Sequence, residues 1–245
     1  MKKTTLKWLG VLTVSSLLVG CQSAETKNEE TIEQKTKQVV DNQSSTSEHT
    51  HLDNQEHNHS YAQDEEAEKI YAGYFEDDQV QERSLSDWEG DWQSVYPYLL
   101  DGTLDEVFEH KAEQKGDKTF EEYKAYYETG YKTNTERIVI KGNNVTFYEN
   151  GKAYTGEYLP DGYEILNYEA GNRGVRYVFK LIEPTDKLPQ YIQFSDHNIS
   201  PTKADHFHLY WGDDREALLK ELTNWPTYFP ADMDGHTIAH EMIAH

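Results

Sequence analysis

Ile138-Val139-Ile140-Lys141-Gly142-Asn143-Asn144-Val145-Thr146-Phe147-Tyr148-Glu149-Asn150-Gly151 decides the fold class. Two short runs of β-branched and aromatic residues flank Gly-Asn-Asn, and the second closes on Asn-Gly, a strong hairpin signal. Toward the C-terminus the same punctuation continues. Pro160-Asp161-Gly162 and Gly171-Asn172-Arg173-Gly174 separate the next expected strands. Val175, Tyr177, Phe179 and Leu181 alternate with Arg176, Val178 and Lys180, the pattern of a strand with one face inward. Gln190 to Phe194 and His206 to Trp211 supply two more. The spacing predicts an antiparallel meander of six or more strands, closed or nearly closed into a barrel, with helices packed around it. There are no internal repeats.

Upstream of Thr135 the period changes to that of helices. Ala67, Ile70, Tyr71 and Tyr74 lie at helical spacing between Glu65 and Phe75. Ser86 reads as an N-cap before an aromatic helix running toward Leu100 and closed by Asp101-Gly102. A further helix is expected from Leu104 to about Ala112. Thr119-Phe120-Glu121-Glu122 is a capping-box pattern for one ending near Gly130. After the strands, Asp213-Asp214 opens a helix toward Asn224.

The first twenty residues read as a targeting segment. Lys2, Lys3 and Lys7 precede an apolar run from Leu9 to Val19, eleven residues long. A bilayer span needs about 20, so the run fits a secretory h-region instead. It ends in Leu18-Val19-Gly20-Cys21, which resembles a bacterial lipobox and implies cleavage before Cys21 and its lipidation. Cys21 is the only cysteine, so no disulfide is possible and the folded part must be held by its core. The expected division is residues 1–20 as lipoprotein signal, 21–65 as an acidic tether too polar to fold, and 66–245 as one domain. Removing residues 1–20, with three lysines and no acids, takes the side-chain charge from −22 to −25. Such a field concentrates cations and repels nucleic acid, which excludes DNA and RNA as expected partners.

One cluster in this acidic chain points to chemistry. His197, His206 and His208 lie close together, with His206 and His208 two apart on the expected strand, so both rings leave the same face. His197 is nine residues upstream, across a connection containing Pro201. A lone strand histidine is ordinarily a hydrogen-bonded core residue. Two on one face with a third nearby form a set of neutral nitrogen donors suited to zinc, with one tetrahedral position left over. Asp196 and Asp205 neighbour these donors, each placed either to orient a ring N–H or to serve as a solvated turn residue. The tether carries His49, His51, His57 and His59 among acids, a flexible metal-collecting pattern. His236, His240 and His245 follow near the end. The first two sit four apart, on one helical face, but with Glu241 they do not give the H-E-x-x-H order.

The chain resembles the ZinT (YodA) family of extracytoplasmic zinc-binding proteins, whose domain also occurs fused to zinc solute-binding lipoproteins. The matching segments are Arg83-Ser84-Leu85-Ser86-Asp87-Trp88-Glu89-Gly90-Asp91-Trp92-Gln93-Ser94-Val95-Tyr96-Pro97, Gly174-Val175-Arg176-Tyr177 and Tyr191-Ile192-Gln193-Phe194-Ser195-Asp196-His197. To these are added His206-Phe207-His208, Asn224-Trp225-Pro226-Thr227-Tyr228 and a chain ending in His245, so the resemblance runs from about residue 68 to the end. It implies a calycin or lipocalin-like barrel decorated by helices, binding one zinc through His197, His206 and His208. Cadmium and other divalent ions are expected in the same site. It further implies zinc acquisition under scarcity, by delivery to the solute-binding protein of a zinc ABC transporter. The lipobox and the longer His-containing tether depart from the simplest members and suit a protein anchored to the cell membrane. No enzymatic activity is expected. The rival reading is a zinc-dependent hydrolase, because three protein ligands plus water is also the arrangement of catalytic zinc. His245 or a tether histidine is open as a fourth ligand.

Overall fold

The computed structural model describes residues 65–220 and 222–244. Cys21, the tether histidines and His245 lie outside them. Eight antiparallel strands close into a barrel in the order β1 to β8, each paired with the next and β8 returning to β1. They are β1 (Gly90–Ser94), β2 (Thr135–Lys141), β3 (Asn144–Glu149), β4 (Lys152–Asn167), β5 (Arg173–Leu181), β6 (Tyr191–Ser195), β7 (Phe207–Gly212) and β8 (Thr227–Pro230). Helices α2 (Tyr96–Leu100), α3 (Asp105–Lys115) and α4 (Phe120–Tyr131) fall between β1 and β2. The short α5 (Arg215–Leu218) and the terminal α6 (Gly235–Ala244) complete the set, with α1 over residues 65–71.

Local chemistry explains most of these elements. Asn150 and Gly151 both adopt positive φ (52° and 71°), which lets a two-residue turn join β3 to β4 with Glu149 opposite Lys152. Thr119 and Glu122 cap α4 reciprocally, through Thr119 N–H to Glu122 Oε2 (2.9 Å) and Glu122 N–H to Thr119 Oγ1 (3.2 Å).

Three expectations are corrected. The segment after Ser86 is not a helix: a 3-10 turn over Leu85–Trp88 runs into β1, and only Tyr96–Leu100 is helical. Its aromatic residues answer to the barrel interior, where Trp92 packs against Phe207 at 4.8 Å between ring centres. Pro160-Asp161-Gly162 does not separate strands; it lies inside the 16-residue β4, where Pro160 stands opposite Phe179 at the edge of a register shift that leaves Asp161 and Gly162 unpaired. The helix toward Asn224 is a single turn, capped by the Asp214 carboxylate.

The barrel interior is filled by its own side chains. Trp88, Phe179, Phe194, Phe207 and Leu209 are buried there, Trp88 stacking on Phe194 at 4.8 Å and Phe194 meeting Phe207 edge-on at 5.1 Å. Each such aromatic pair adds about 0.5–1.5 kcal/mol beyond its burial. A second core lies outside the wall, where Phe229 of β8 packs with Phe108 of α3, Tyr123 and Tyr131 of α4, and Ile238 of α6. The domain is thus a filled barrel with a helical layer against one side.

Gly130 marks where that layer is pinned. Its carbonyl accepts Trp225 N–H at 2.6 Å, and the Asn224 amide donates to the carbonyls of Thr129, Gly130 and Lys132, each at 3.0 Å, capping the end of α4. A Cβ at Gly130 would stand 2.4 Å from the Trp225 indole. Gly130→Ala gains about 1 kcal/mol of helix propensity but forces a rigid ring to move, which costs about 1–3 kcal/mol. The expected net result is a lower urea midpoint at unchanged m-value.

Candidate metal centre

The three histidines are brought together on the outside of the barrel wall. On β7, Phe207 and Leu209 point inward and are fully buried, so His208, between them, projects outward. His206 immediately precedes the strand. His197, His206 and His208 each offer one ring nitrogen that could hold a metal ion, and these three nitrogens all lie within 4.8 Å of one another. Ring centres are 5.4 to 5.9 Å apart, a nearly equilateral triangle. A tetrahedral ion with nitrogen ligands at about 2.0–2.1 Å requires nitrogens about 3.3 Å apart, so small rotations of the three rings would close the set.

Each imidazole is aimed by a different device. His208 Nδ1 lies 2.8 Å from Thr227 Oγ1, its neighbour across β7 and β8. That hydroxyl donates its own proton to the Trp225 carbonyl at 3.0 Å, so it accepts from His208. The Nδ1–H tautomer is thereby set, and Nε2 keeps its lone pair for a ligand. His206 stacks on Phe229 with ring centres 5.0 Å apart and planes 11° from parallel. His197 stacks on Tyr71 of α1 at 4.5 Å.

His197 also has an uncommon backbone, with φ at +65°. A non-glycine residue there costs of order 1 kcal/mol and persists only where its surroundings enforce it. Asp196, buried beside it, supplies the enforcement. Its carboxylate receives two bonds from Arg83, at 2.6 and 2.9 Å, and accepts Asn198 N–H at 3.2 Å. Arg83 further donates to the carbonyls of Asn198 (3.3 Å) and Thr202 (2.8 Å) and to Asp87 (2.8 Å). One guanidinium therefore gathers the loop that joins β6 to β7 and turns His197 toward the other two histidines. Asp196 is buried and so is no solvated turn residue; it positions His197 through the backbone. Asp205 is exposed.

Sequence reading missed Arg83, Thr227, Tyr71 and Phe229 as supporting residues, because each meets its partner, Asp196 for Arg83 and a histidine for the others, across a long separation in the chain. His236 and His240 lie on α6 and are exposed, and among the described residues no second group of three such donors occurs.

The surroundings are asymmetric. All three histidines line a cavity of about 280 Å³ against the tyrosines of α4, and His197 and His208 also line one of about 320 Å³ reaching Arg176. Among their described residues neither contains Asp or Glu. On the far side, His206 borders a cleft of about 890 Å³ carrying Glu89, Asp91, Asp205, Asp232 and Glu241 against one lysine, Lys203. Burial, then repulsion by His197, His206 and Arg176, holds the His208 imidazole well below its ordinary range and therefore neutral.

A family model described as "ZinT (YodA) periplasmic lipocalin-like zinc-recruitment" matches residues 65–245. The chain is 62% identical over 245 residues to a Bacillus subtilis (strain 168) protein named "Probable metal-binding protein YrpE", covering 98% of each. It is 53% identical over 180 residues to the "Zinc-binding protein AdcA" of Streptococcus pyogenes serotype M3, which takes 72% of this chain but only 35% of that protein. The crystal structure of the Zn(II)-bound ZinT-like domain of Streptococcus pneumoniae AdcA superposes with a TM-score of 0.69 at 48% identity, over 71% of this chain and 97% of that domain.

The low proton affinity of His208 has a consequence for the metal-free protein. Unfolded, this imidazole titrates near about 6.5; folded, it resists protonation. Its contribution to stability is complete above that value and is lost as pH falls below it, at up to about 1.4 kcal/mol per pH unit. Urea unfolding of the wild type and His208→Gln at a series of pH values checks this: the wild type should lose more stability than the variant between pH 7 and 5.

Proposed function

Because the chain belongs to the ZinT (YodA) family, we propose that it is an extracytoplasmic zinc-binding protein that scavenges the ion through His197, His206 and His208 and passes it to the solute-binding protein of a zinc ABC transporter. The observation that carries this reading is the convergence of three imidazole nitrogens within 4.8 Å, at residues that the zinc-binding relatives' domain spans. Neutral imidazoles hold zinc without thiolates, which are vulnerable to oxidation outside the cell, and release it as pH falls and they protonate. The acidic cleft at His206 supports the same reading, since grouped carboxylates raise the local cation concentration at an entrance. In this proposal residues 1–20 direct export, Cys21 carries the lipid that anchors the protein to the cell membrane, residues 21–65 form the tether, and its histidines collect metal for the domain.

The hydrolase reading uses the same three histidines but needs a general base near the open position. The carboxylate next to His197, that of Asp196, is committed to Arg83, and the two cavities beside His197 and His208 hold no other among their described residues. Among the described residues that leaves the acids of the cleft at His206 as the remaining candidates for a base, so it is the likeness to zinc-recruitment and zinc-binding proteins that favours carriage over turnover.

His206→Ala/His208→Ala should abolish one-to-one zinc binding in competition with a chromogenic chelator and impair growth in zinc-depleted medium; one zinc bound at unchanged affinity would refute the assignment. Thr227→Val keeps the shape of the side chain but removes the acceptor for His208, and zinc affinity should fall by about 10- to 100-fold with the stoichiometry intact.

A further inference from the structure

Two arginines are buried against the barrel wall, and the fold treats them oppositely. Arg83, 4% exposed, has its guanidinium bonded to two carboxylates and two carbonyls. Arg176, 2% exposed, has Nε and Nη1 buried without any hydrogen-bond partner. Its guanidinium carbon lies 3.1 Å from the centre of the Tyr210 ring. That contact offsets part of the cost of burying the charge, but it satisfies no N–H.

The sheet register places Arg176 beside the three histidines. Ser195 pairs with His208, and carrying the pairing of Tyr177 with Phe194 one residue further sets Arg176 opposite Ser195. All three leave the outer face of the wall, so Arg176 and His208 stand two strands apart, about 10 Å at the backbone and within an arginine's reach. They line one cavity of about 320 Å³, together with His197 and Ser195. Its described lining includes Arg173 and Arg176 and no Asp or Glu, in a chain with 45 acidic against 23 basic residues.

Among the described residues, no carboxylate lines this cavity to compensate the charge. Asp196 is held by Arg83. Glu164, opposite Arg176 across β4 and β5, is paired with Arg215 at 2.8 Å. A divalent ion on three neutral imidazoles would add two positive charges next to the guanidinium, in a buried space where such charges repel strongly.

We propose that the site takes its divalent ion together with a small carboxylate-type anion, one oxygen filling the metal's fourth position and the other accepting from Arg176. The metal supplies a charge for the anion and the anion screens the metal from Arg176, so each strengthens the binding of the other. This inference rests on the zinc reading above.

The test measures zinc affinity of the full chain by chelator competition near neutral pH, in a buffer free of carboxylates and bicarbonate with a non-coordinating counter-ion, and then with millimolar acetate or bicarbonate. The wild type should tighten by about tenfold, as one charge-assisted bond would produce. Comparing acetate with bicarbonate separates a carboxylate from a carbonate. Arg176→Met should bind one zinc but lose the response to either anion, and it should remain folded because it removes a buried unpaired charge. A second measurement on wild type alone uses cobalt(II) in place of zinc and ¹³C-labelled acetate, whose carboxyl resonance should broaden on binding beside the paramagnetic ion. A wild type that binds zinc one-to-one with indifference to both anions, or an Arg176→Met variant that responds as the wild type does, overturns the proposal and leaves the zinc site standing. A wild type that fails to bind zinc one-to-one refutes the underlying reading instead.

Discussion

The wall of this barrel is one residue thick, so every strand serves two environments at once. On β7 the inward residues Phe207 and Leu209 belong to a tightly filled aromatic interior, and the outward residues His208 and Tyr210 belong to a polar site. Fully burying a Leu or Phe side chain stabilises by about 1.5–3 kcal/mol, so a slip of one residue would both expose that apolar surface and push imidazoles into it. The packing of the core therefore sets the register of the site. The same filling distinguishes this barrel from one that carries apolar cargo: its interior is occupied by Trp88, Phe179, Phe194 and their neighbours. Function is left to the outer face, between the wall and the helical layer.

Alternation along a strand can aim two donors but not the third. His197 lies past the end of β6, and its left-handed backbone opposes the ordinary preference of an L-residue. The buried pair of Arg83 and Asp196 overcomes that preference. Breaking such a pair by removing one partner costs about 3–5 kcal/mol, several times the strain at His197. Arg83 lies just before β1, so the element that closes the barrel also fixes the ligand loop. Closure and site assembly are thereby coupled.

How much of this was legible follows from sequence separation. The β2 to β7 meander was, because Asn150-Gly151 and the alternation from Val175 to Leu181 are local signals. The convergence of the three histidines was, because two of them are two residues apart. The closing strands were not. β1 has five residues and follows a 3-10 turn, β8 has four and follows Pro226, and their strand state depends on pairing with each other rather than on any local pattern. Pro160-Asp161-Gly162 has the composition of a turn and was read as one, but β5 holds both flanks of the bulge in a single strand. Arg83 and Asp196 are 113 residues apart, and nothing near either in the chain announces the other.

The charge distribution gives the site a direction. The cleft at His206 is lined by five acids and one lysine, while the cavity beyond His197 and His208 holds two arginines and no described acid. A cation approaching from the first side meets a falling potential, and from the second a rising one. In the proposed carrier, metal therefore enters and leaves past His206. A receiving protein would have to compete for it at that edge, with donors able to displace an imidazole that is stacked on Phe229. The buried arginine works from the opposite side: without an anion it weakens the hold on the ion, and with one it strengthens it. A site built this way can bind firmly and still yield, because part of its affinity resides in a small, exchangeable ligand rather than in the protein.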